Sequence, residues 1–337
     1  MEHVEVRPFI PGEEKVVATI HNRAFAEWIE SLGWEYAYRY VRPEDISAWT
    51  EQGQTKRALL LIARVNDEPV GYVHSRLELK HGERTFKEVL FVPTDSDMGQ
   101  SRIAVIPSYR RRGVGKALIH KIIEQFEPLR ADLAVALAYS DNTAAERFLQ
   151  RQGFVHSEFF YYKPYSEVQP WRYDSVYAEL DLSEPIEKPG KPNLDAKIRH
   201  ATENDARDVA EIFRKSAPWT PFGPEAATEQ ILAQYLRSGS QETILVAEYE
   251  GEVVGVMDFN THNNRLGIPG VLPDYRKRGV GYTLFYNLLR QMRREGCTKA
   301  IADTGLILSK AINMYKRFGF KIVRRQQTWV KKLDSNF

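Results

Sequence analysis

The sequence predicts an α/β protein of two domains, each a mixed sheet flanked by helices, with the second domain a copy of the first. Three observations carry this expectation. The chain has 337 residues, more than one average domain needs and about right for two. The stretch VIPSYRRRGVGKALIHKII near residue 105 returns near residue 271 as VLPDYRKRGVGYTLFYNLL. Val105, Pro107, Tyr109, Arg110, Gly113 and Gly115 recur as Val271, Pro273, Tyr275, Arg276, Gly279 and Gly281, each 166 positions further on, and Gly153-Phe154 recurs as Gly319-Phe320 at the same offset. Around these anchors, strand-like and helix-like periodicities follow one another in the same order in both copies.

Each copy opens on a short strand, Val6-Arg7 in the first and Ile198-Arg199 in the second. An amphipathic helix follows, EEKVVATIHNRAF and then ENDARDVAEIFRKS, with apolar residues three and four apart. Thr202 and Asn204, beside Glu203 and Asp205, are the cap signals of the second. A strand–turn–strand comes next, ALLLIARVNDEPVGYVHSRLEL and TILVAEYEGEVVGVMDFN, with Asn66-Asp67 and Glu250-Gly251 at the turns. The first copy then carries 18 extra residues, roughly HGERTFKEVLFVPTDSDM. Both continue with a strand (SRIAVIP, RLGIPGVLP), a glycine turn, a helix, a strand, a helix and a strand pair. Ser183–Asn193 holds three prolines and a glycine without hydrophobic period, which reads as a linker. The expected domains are therefore 1–182 and 195–337, joined by 183–194.

Composition narrows the function classes. Hydrophobic residues at 43% with 27% charged residues exclude a disordered chain. No run of about 18 apolar residues is present, which argues against a membrane span. The acidic, strand-like start Met1-Glu2-His3-Val4-Glu5-Val6 lacks a leader pattern, and the expectation is a cytoplasmic protein. The net charge of +2 makes nucleic acid an unlikely partner. Cys297 is the sole cysteine, so disulfide frameworks, cysteine-based zinc clusters and CxxC redox chemistry are excluded, and no metal is expected.

The glycine turns carry the chemistry. Arg110-x-x-Gly113-x-Gly115 and Arg276-x-x-Gly279-x-Gly281 each follow a strand and open a helix. Glycines there leave backbone N–H groups unobstructed, the helix start adds a positive dipole end, and arginines add donors, a combination suited to a phosphate or pyrophosphate. The GxxxxGK[ST] spacing of a P-loop is absent. A dinucleotide fingerprint would need a third glycine where Leu118 and Leu284 stand. A solvated basic turn is the bland alternative for one such motif, and its duplication in one strand–turn–helix context argues against it.

With these residues both copies resemble the GNAT superfamily of acyl-CoA-dependent N-acyltransferases, whose signature is [RQ]-x-x-G-x-[GA] in this context. The resemblance covers nearly the whole chain apart from the linker and the insertion. It implies two tandem domains with mostly antiparallel mixed sheets, and acetyl-CoA as cosubstrate. By residue match, Val105 and Val271 lie on the strand that pairs with the pantetheine arm. Arg110, Arg111, Arg112, Gly113, Val114, Gly115 and Lys116 in the first copy form the pyrophosphate loop. Arg276, Lys277, Arg278, Gly279, Val280, Gly281 and Tyr282 form it in the second.

The resemblance also discriminates between the copies. The family supplies a proton to the departing thiolate from a Tyr in a pattern like N-x-x-A-x-x-[LF]-Y-x-x-x-G-F. The first copy keeps the Asn as Asn142, an implied cofactor contact, but has Leu149 at the Tyr position; the second has Leu308 for the Asn and keeps Tyr315. The C-terminal copy is therefore the expected active one, moving an acetyl group to a primary amine by direct transfer with Tyr315 as general acid. No base is assigned: Asp303 and His262 are the nearest guesses, and each reads better as a turn or cap residue. Aromatics that could line an acceptor pocket are Phe25, Trp28, Trp34, Tyr36, Tyr38 and Tyr40 in the first copy and Trp219 and Phe222 in the second, with more between Phe159 and Tyr177. The expected partner is a small-molecule or peptide amine. The expected state is a monomer with an intramolecular pseudo-dimer, or a homodimer. The competing reading is a non-catalytic tandem protein that senses coenzyme A or serves as structure.

Overall fold

A computed structural model describes residues 3–32, 39–56, 58–80, 86–91, 102–161, 172–187, 190, 194–216, 229, 233, 236–237, 242–267 and 269–333. The chain divides into two compact units, one of Met1–Ser175 with Arg324–Phe337 and one of Val176–Val323. These boundaries differ from the linker at 183–194: residues 176–182 belong with the second unit, and the last strand from 324 onward belongs with the first.

In the first unit β1 (Val4–Pro8) leads into α1 (Glu14–Ser31) and α2 (Pro43–Lys56). The hairpin β2 (Ala58–Val65) and β3 (Glu68–Lys80) turns at Asn66 and Asp67, with φ 48° and 64°. Two consecutive positive φ values mark a type I′ turn, which suits the twist of a two-residue hairpin and tolerates Asn and Asp. Then come β4 (Phe86–Phe91), β5 (Arg102–Val105), α3 (Val114–Phe126), β6 (Leu133–Tyr139) and α4 (Thr143–Arg151). The short strands β7 (Val155–His156), β8 (Phe159–Phe160) and β9 (Arg172–Tyr173) follow. The 18-residue insertion thus contains a strand of the sheet, because β4 pairs antiparallel with β3 and parallel with β6.

The second unit begins with β10 (Ser175–Asp181), whose residues from Val176 onward lie in it, and β11 (Lys197–His200). A Thr202–Asp205 capping box opens a 3-10 turn and then α5 (Ala206–Ser216), as the cap signals predicted. The Arg199 guanidinium grips Asp205 at 2.8 Å through both nitrogens and holds that carboxyl down at about 2. The first unit repeats the device with Arg7 and Glu13. Next come β12 (Glu242–Tyr249), β13 (Glu252–Asn260), β14 (Arg265–Leu266) and β15 (Gly270–Val271). The unit continues with α6 (Val280–Arg294), β16 (Lys299–Gly305) and α7 (Ser309–Arg317).

The strand pair expected at the end of the second copy is one long strand, β17 (Lys321–Lys332). Its residues from Gln326 pair antiparallel with β6, Gln326 opposite Tyr139 and Lys332 opposite Leu133, and Trp329 enters the first unit's core beside Val135-flanking Ala134 and Ala136. The physical reason is the β6 edge: its backbone groups need a partner, and the first copy's own Val176–Asp181 lies in the other unit. That segment places Ala178 and Leu182 in the second unit's core.

Each unit has two layers of core around its sheet. One lies under the helix that follows the glycine turn (Leu118, Ile119 and Ile122; Leu284, Phe285 and Leu288). The other lies under the opening helix (Val17, Ile20 and Trp49; Val209 and Ile212). A mixed, largely antiparallel sheet with helices on both faces is what the sequence predicted.

Candidate active site

The strand that leads into each glycine turn is built in two pieces. In the first unit β4 runs parallel to β6, whereas β5 pairs only with β3 among the described residues, Gly71 opposite Val105. In the second, β14 runs parallel to β16 with Arg265 beside Ile301, whereas β15 among the described residues pairs only with β13, Gly255 opposite Val271. Among the described residues the parallel pairing therefore ends before the turn, and the strand piece leading into it is paired on one side. Proline and glycine make the break in the second unit, at Gly267 and Pro269.

The turn itself repeats closely. Pro107–Tyr109 and Pro273–Tyr275 form one 3-10 turn each, and α3 and α6 then start behind Gly113 and Gly279 at φ 89° and 90°. Arg111 and Lys277 are also left-handed, at φ 67° and 61°. That conformation costs a non-glycine residue about 1 kcal/mol and persists where surroundings enforce it. Alternating left-handed residues turn successive N–H groups to one side, and the first amides of each helix have no carbonyl within the helix to bond. Neither helix start has a side-chain cap. Such backbone geometry at a helix N-terminus is suited to an anion.

The arginines divide their work in a way the sequence does not show. Arg110 donates from Nε to the Val105 carbonyl at 3.1 Å and from Nη2 to the Ala24 carbonyl at 2.7 Å. Arg276 donates likewise to Val271 at 2.9 Å and Lys215 at 3.3 Å. The motif's first arginine thus fastens the loop to the strand end and to the opening helix. The third basic residue faces outward over an aromatic ring: Arg112 lies 5.1 Å from the Tyr109 centroid and Arg278 lies 5.8 Å from that of Tyr275. Each ring is tethered in turn, Tyr109 donating to Glu68 at 2.5 Å and Tyr275 to Glu252 at 2.7 Å. Asn142 caps α4, its Oδ1 accepting from the Ala145 amide at 3.0 Å.

The two copies diverge beside the second glycine. A Cβ on Gly115 would meet the Phe148 ring at 3.1 Å, whereas one on Gly281 would meet, among the described residues, only Val271 Cγ2, at 3.7 Å. They diverge again one residue further on. Leu149 is a core residue of the first unit, and Tyr315 is a core residue of the second at 5% exposure, packed on Phe285 and Phe320 with centroids 5.8 and 5.6 Å away. Burial, and after it the Asp303 carboxylate, push the Tyr315 phenol well above its ordinary range, so it is protonated at neutral pH.

Asp303 is bound to Arg265 at 2.6 Å, and His262 sits in a turn where Asn260 Oδ1 accepts from its amide at 2.9 Å. His262 has the turn role the sequence favoured, whereas Asp303 is neither turn nor cap: it lies within β16, paired with Arg265. Of the aromatics, Phe25 lies 4.9 Å from the His21 ring and beneath Arg102, and Tyr40 is exposed. Trp34, Tyr36, Tyr38, Trp219 and Phe222 lie outside the described residues, as do most of the 159–177 connection and much of the insertion.

Two groups escaped the sequence reading. In the first unit His21 and His74 are buried with Tyr72, Arg76 and Arg102 on the face under α1 and α2. His21 Nδ1 bonds the Tyr72 hydroxyl at 2.7 Å, and its Nε2 lies 3.3 Å from the Arg39 carbonyl. In the second unit Asp258 is the one charge inside a strand, EVVGVMDFN, whose other interior residues are apolar or glycine, a signal that sequence alone offers.

Comparison with known proteins agrees with this geometry. A protein-family model described as "Acetyltransferase (GNAT) family" matches residues 23–154 and 206–320. A mycothiol acetyltransferase of Saccharomonospora viridis is 26% identical over 242 residues, 66% of this chain and 71% of that protein. A GCN5-related N-acetyltransferase from Sphaerobacter thermophilus superimposes with a TM-score of 0.61 at 16% identity, covering 98% of this chain and 95% of the other. A tandem GNAT protein from the clavulanic acid biosynthesis pathway does so at 0.65 and 16%, covering 99% and 100%. These likenesses confirm the fold.

Proposed function

Since the chain belongs to the acetyltransferase (GNAT) family, its two glycine turns matched by that family's model in both copies, we propose that its second unit moves an acetyl group from acetyl-CoA to a primary amine by direct transfer. One contrast carries the choice of unit: Tyr315 is buried behind the open turn of the second unit, where the first has Leu149 beside a turn covered by Phe148.

The residues present fit the cosubstrate. A pyrophosphate suits the amides behind Gly279, where φ 90° leaves the backbone bare, and Val280, Gly281 and Tyr282 supply the first helical amides. Arg278, held over Tyr275, and Lys277 add positive charge at the mouth, and Arg276 keeps the loop against Val271. When bound, the cosubstrate supplies the activated acyl group as a thioester. Tyr315, held neutral by burial, gives its hydroxyl proton to the leaving sulfur. Cys297 is half-buried and its thiol is pushed up by burial, so the chain offers no thiolate there for an acyl-enzyme, which favours direct transfer.

The first unit repeats the cradle with Arg110 to Lys116. Phe148 and Leu149 favour a unit that does not transfer, which is where the non-catalytic reading survives. Mycothiol acetyltransferase as a relative favours a small-molecule amine as acceptor.

The test is calorimetric titration with acetyl-CoA followed by a thiol-release assay on a panel of primary amines. Thiol release abolished by substitutions in the second turn and retained after the equivalent ones in the first supports the proposal. Binding with no release on any amine would favour a sensor.

A further inference from the structure

The family reading leaves the amine's proton without an acceptor, and the fold of the second unit supplies one. β13 alternates its faces. Met257 and Phe259 point into the core under α6, and Val256 packs on the opposite side with Ile212 of α5. Asp258 shares the face of Val256, next to its cross-strand neighbour Ile244. It is half-buried there. Its carboxylate lies against the point where the strand breaks: a Cβ on Gly267 would collide with both carboxylate oxygens, Oδ1 and Oδ2. No side chain fits that position, so glycine is required for the carboxylate to occupy it. Gly267 is also where β14 stops running beside β16 and β15 continues with β13 alone. The carboxylate therefore stands where the β14–β16 pairing ends, on the face turned away from the α6 core.

The groups around it set its chemistry. On the same face, Arg265 of β14 is joined to Asp303 of β16 at 2.6 Å and covers the Tyr177 ring at 5.8 Å. Across β15, Gly270 presents no side chain, and a Cβ there would meet Ile212 at 2.6 Å and Ser216 Oγ at 3.4 Å. Ser216 Oγ donates to the Val271 carbonyl at 3.1 Å. The approach from the α5 side is thus lined by small and apolar groups with Asp258 at its end.

We propose that Asp258 receives the ammonium group of the acceptor and takes its proton, so that the acceptor of this unit is a primary amine bound as its cation. This rests on the reading of the second unit as the transferring one. The step balances without a further reagent. The ammonium N–H proton passes to the Asp258 carboxylate, and the freed nitrogen lone pair forms the C–N bond as the thioester C–S bond breaks. The sulfur takes the Tyr315 hydroxyl proton, the new amide returns its surplus proton to the Tyr315 oxygen, and Asp258 releases its proton to water. At pH 7 an alkylamine of pKa about 10.4 is neutral in roughly one molecule in a few thousand, so a positioned carboxylate has a large deficit to offset.

The experiment compares wild type, Asp258→Asn and Gly267→Ala with n-butylamine and glycinamide as acceptors, whose pKa values are near those of alkyl and α-amino groups, about 10.4 and 7.7–8. Asn keeps the size and hydrogen-bonding capacity but not the charge. We expect acetyl-CoA affinity to be unchanged and kcat/KM at pH 7 to fall by about 10²-fold or more. We also expect the variant's rate with n-butylamine to rise about tenfold per pH unit from 7 to 9, where wild type is flat. Gly267→Ala, which displaces the carboxylate, gives the same profile. Without acetyl-CoA, n-butylamine raises the melting temperature of wild type but not of Asp258→Asn. Should a variant not fold, wild type alone decides: its acidic limb falls at one pH for both amines if Asp258 is the acceptor, and a limb that tracks each amine's own pKa overturns the assignment. A wild-type pH profile in Asp258→Asn also overturns it while leaving the second unit's role intact. If no amine of the two releases thiol, or the second turn binds no acetyl-CoA, the reading of the unit falls and the assignment with it.

Discussion

Acidification from pH 7 to pH 5 is expected to cost the first unit about 2 kcal/mol through one side chain, His21, whose pKa in the fold is lowered from 6.5 to about 3. Desolvation is the main cause and the Arg102 charge the next, while the bond to the Arg39 carbonyl opposes them. The ring is 2% exposed, and it is neutral in a fixed tautomer: a carbonyl can only accept, so Nε2–H donates to Arg39 and Nδ1 accepts from Tyr72. The sign follows from proton counting. The unfolded chain binds a proton near pH 6.5 and the folded one only near 3, so stability is complete above 6.5 and falls with each pH unit below it until 3. At about 1.4 kcal/mol per unit, the 1.5 units from 6.5 to 5 give the stated loss. The assay is urea unfolding of wild type and His21→Phe at pH 7, 6 and 5. The variant keeps an aromatic ring beside Phe25 and Trp49 but loses the hydrogen bonds, about 1–3 kcal/mol at pH 7. Its deficit against wild type should shrink by about 2 kcal/mol on going to pH 5, because other titrating groups cancel in the difference. A deficit that stays constant across the three pH values refutes the buried neutral imidazole.

Three further outcomes are expected. Tyr315→Phe keeps the packing on Phe285 and Phe320, so acetyl-CoA affinity should hold while kcat drops by about 10²-fold or more, and an unchanged kcat removes Tyr315 from proton transfer. Gly279→Ala and Gly113→Ala each place a side chain at φ near 90° and should cost about 1–2 kcal/mol of stability, read by thermal melting. Only the former should weaken acetyl-CoA in the titration that precedes transfer, and equal weakening by both would argue that the first cradle works too. Trp329→Ala, near the chain's end, should destabilise the first unit by about 3 kcal/mol or more, because the indole is 8% exposed in that unit's core. Loss of amide protection in β10–β16 with β6 unaffected would contradict the strand's assignment.

Much of the site was legible because it is local. The turns, their glycines and the helices behind them are set by residues within one short stretch, where φ requirements and periodicity act directly on the sequence. The I′ hairpin at Asn66-Asp67, the Thr202–Asp205 cap and the Tyr315/Leu149 contrast are of the same kind. The bonds by which Arg110 and Arg276 fasten their loops are not legible in the sequence, since their carbonyl partners Ala24 and Lys215 lie 86 and 61 residues away. Asp258 was visible as a charge in the apolar interior of a strand, but its meaning depends on Gly267 of the neighbouring segment.

The duplication, the fold class and the place of each glycine turn were determined by sequence alone, because short-range backbone geometry and the repeat's fixed offset encode them. Tertiary structure decided which strand completes each unit. β6 can pair with any extended segment of the right pattern, and only the packing of Trp329 in one core, with Ala178 and Leu182 in the other, selects the exchange. It decided likewise which groups meet where the β14–β16 pairing ends, since a carboxylate and a missing Cβ from separate strands become neighbours only once the register is set.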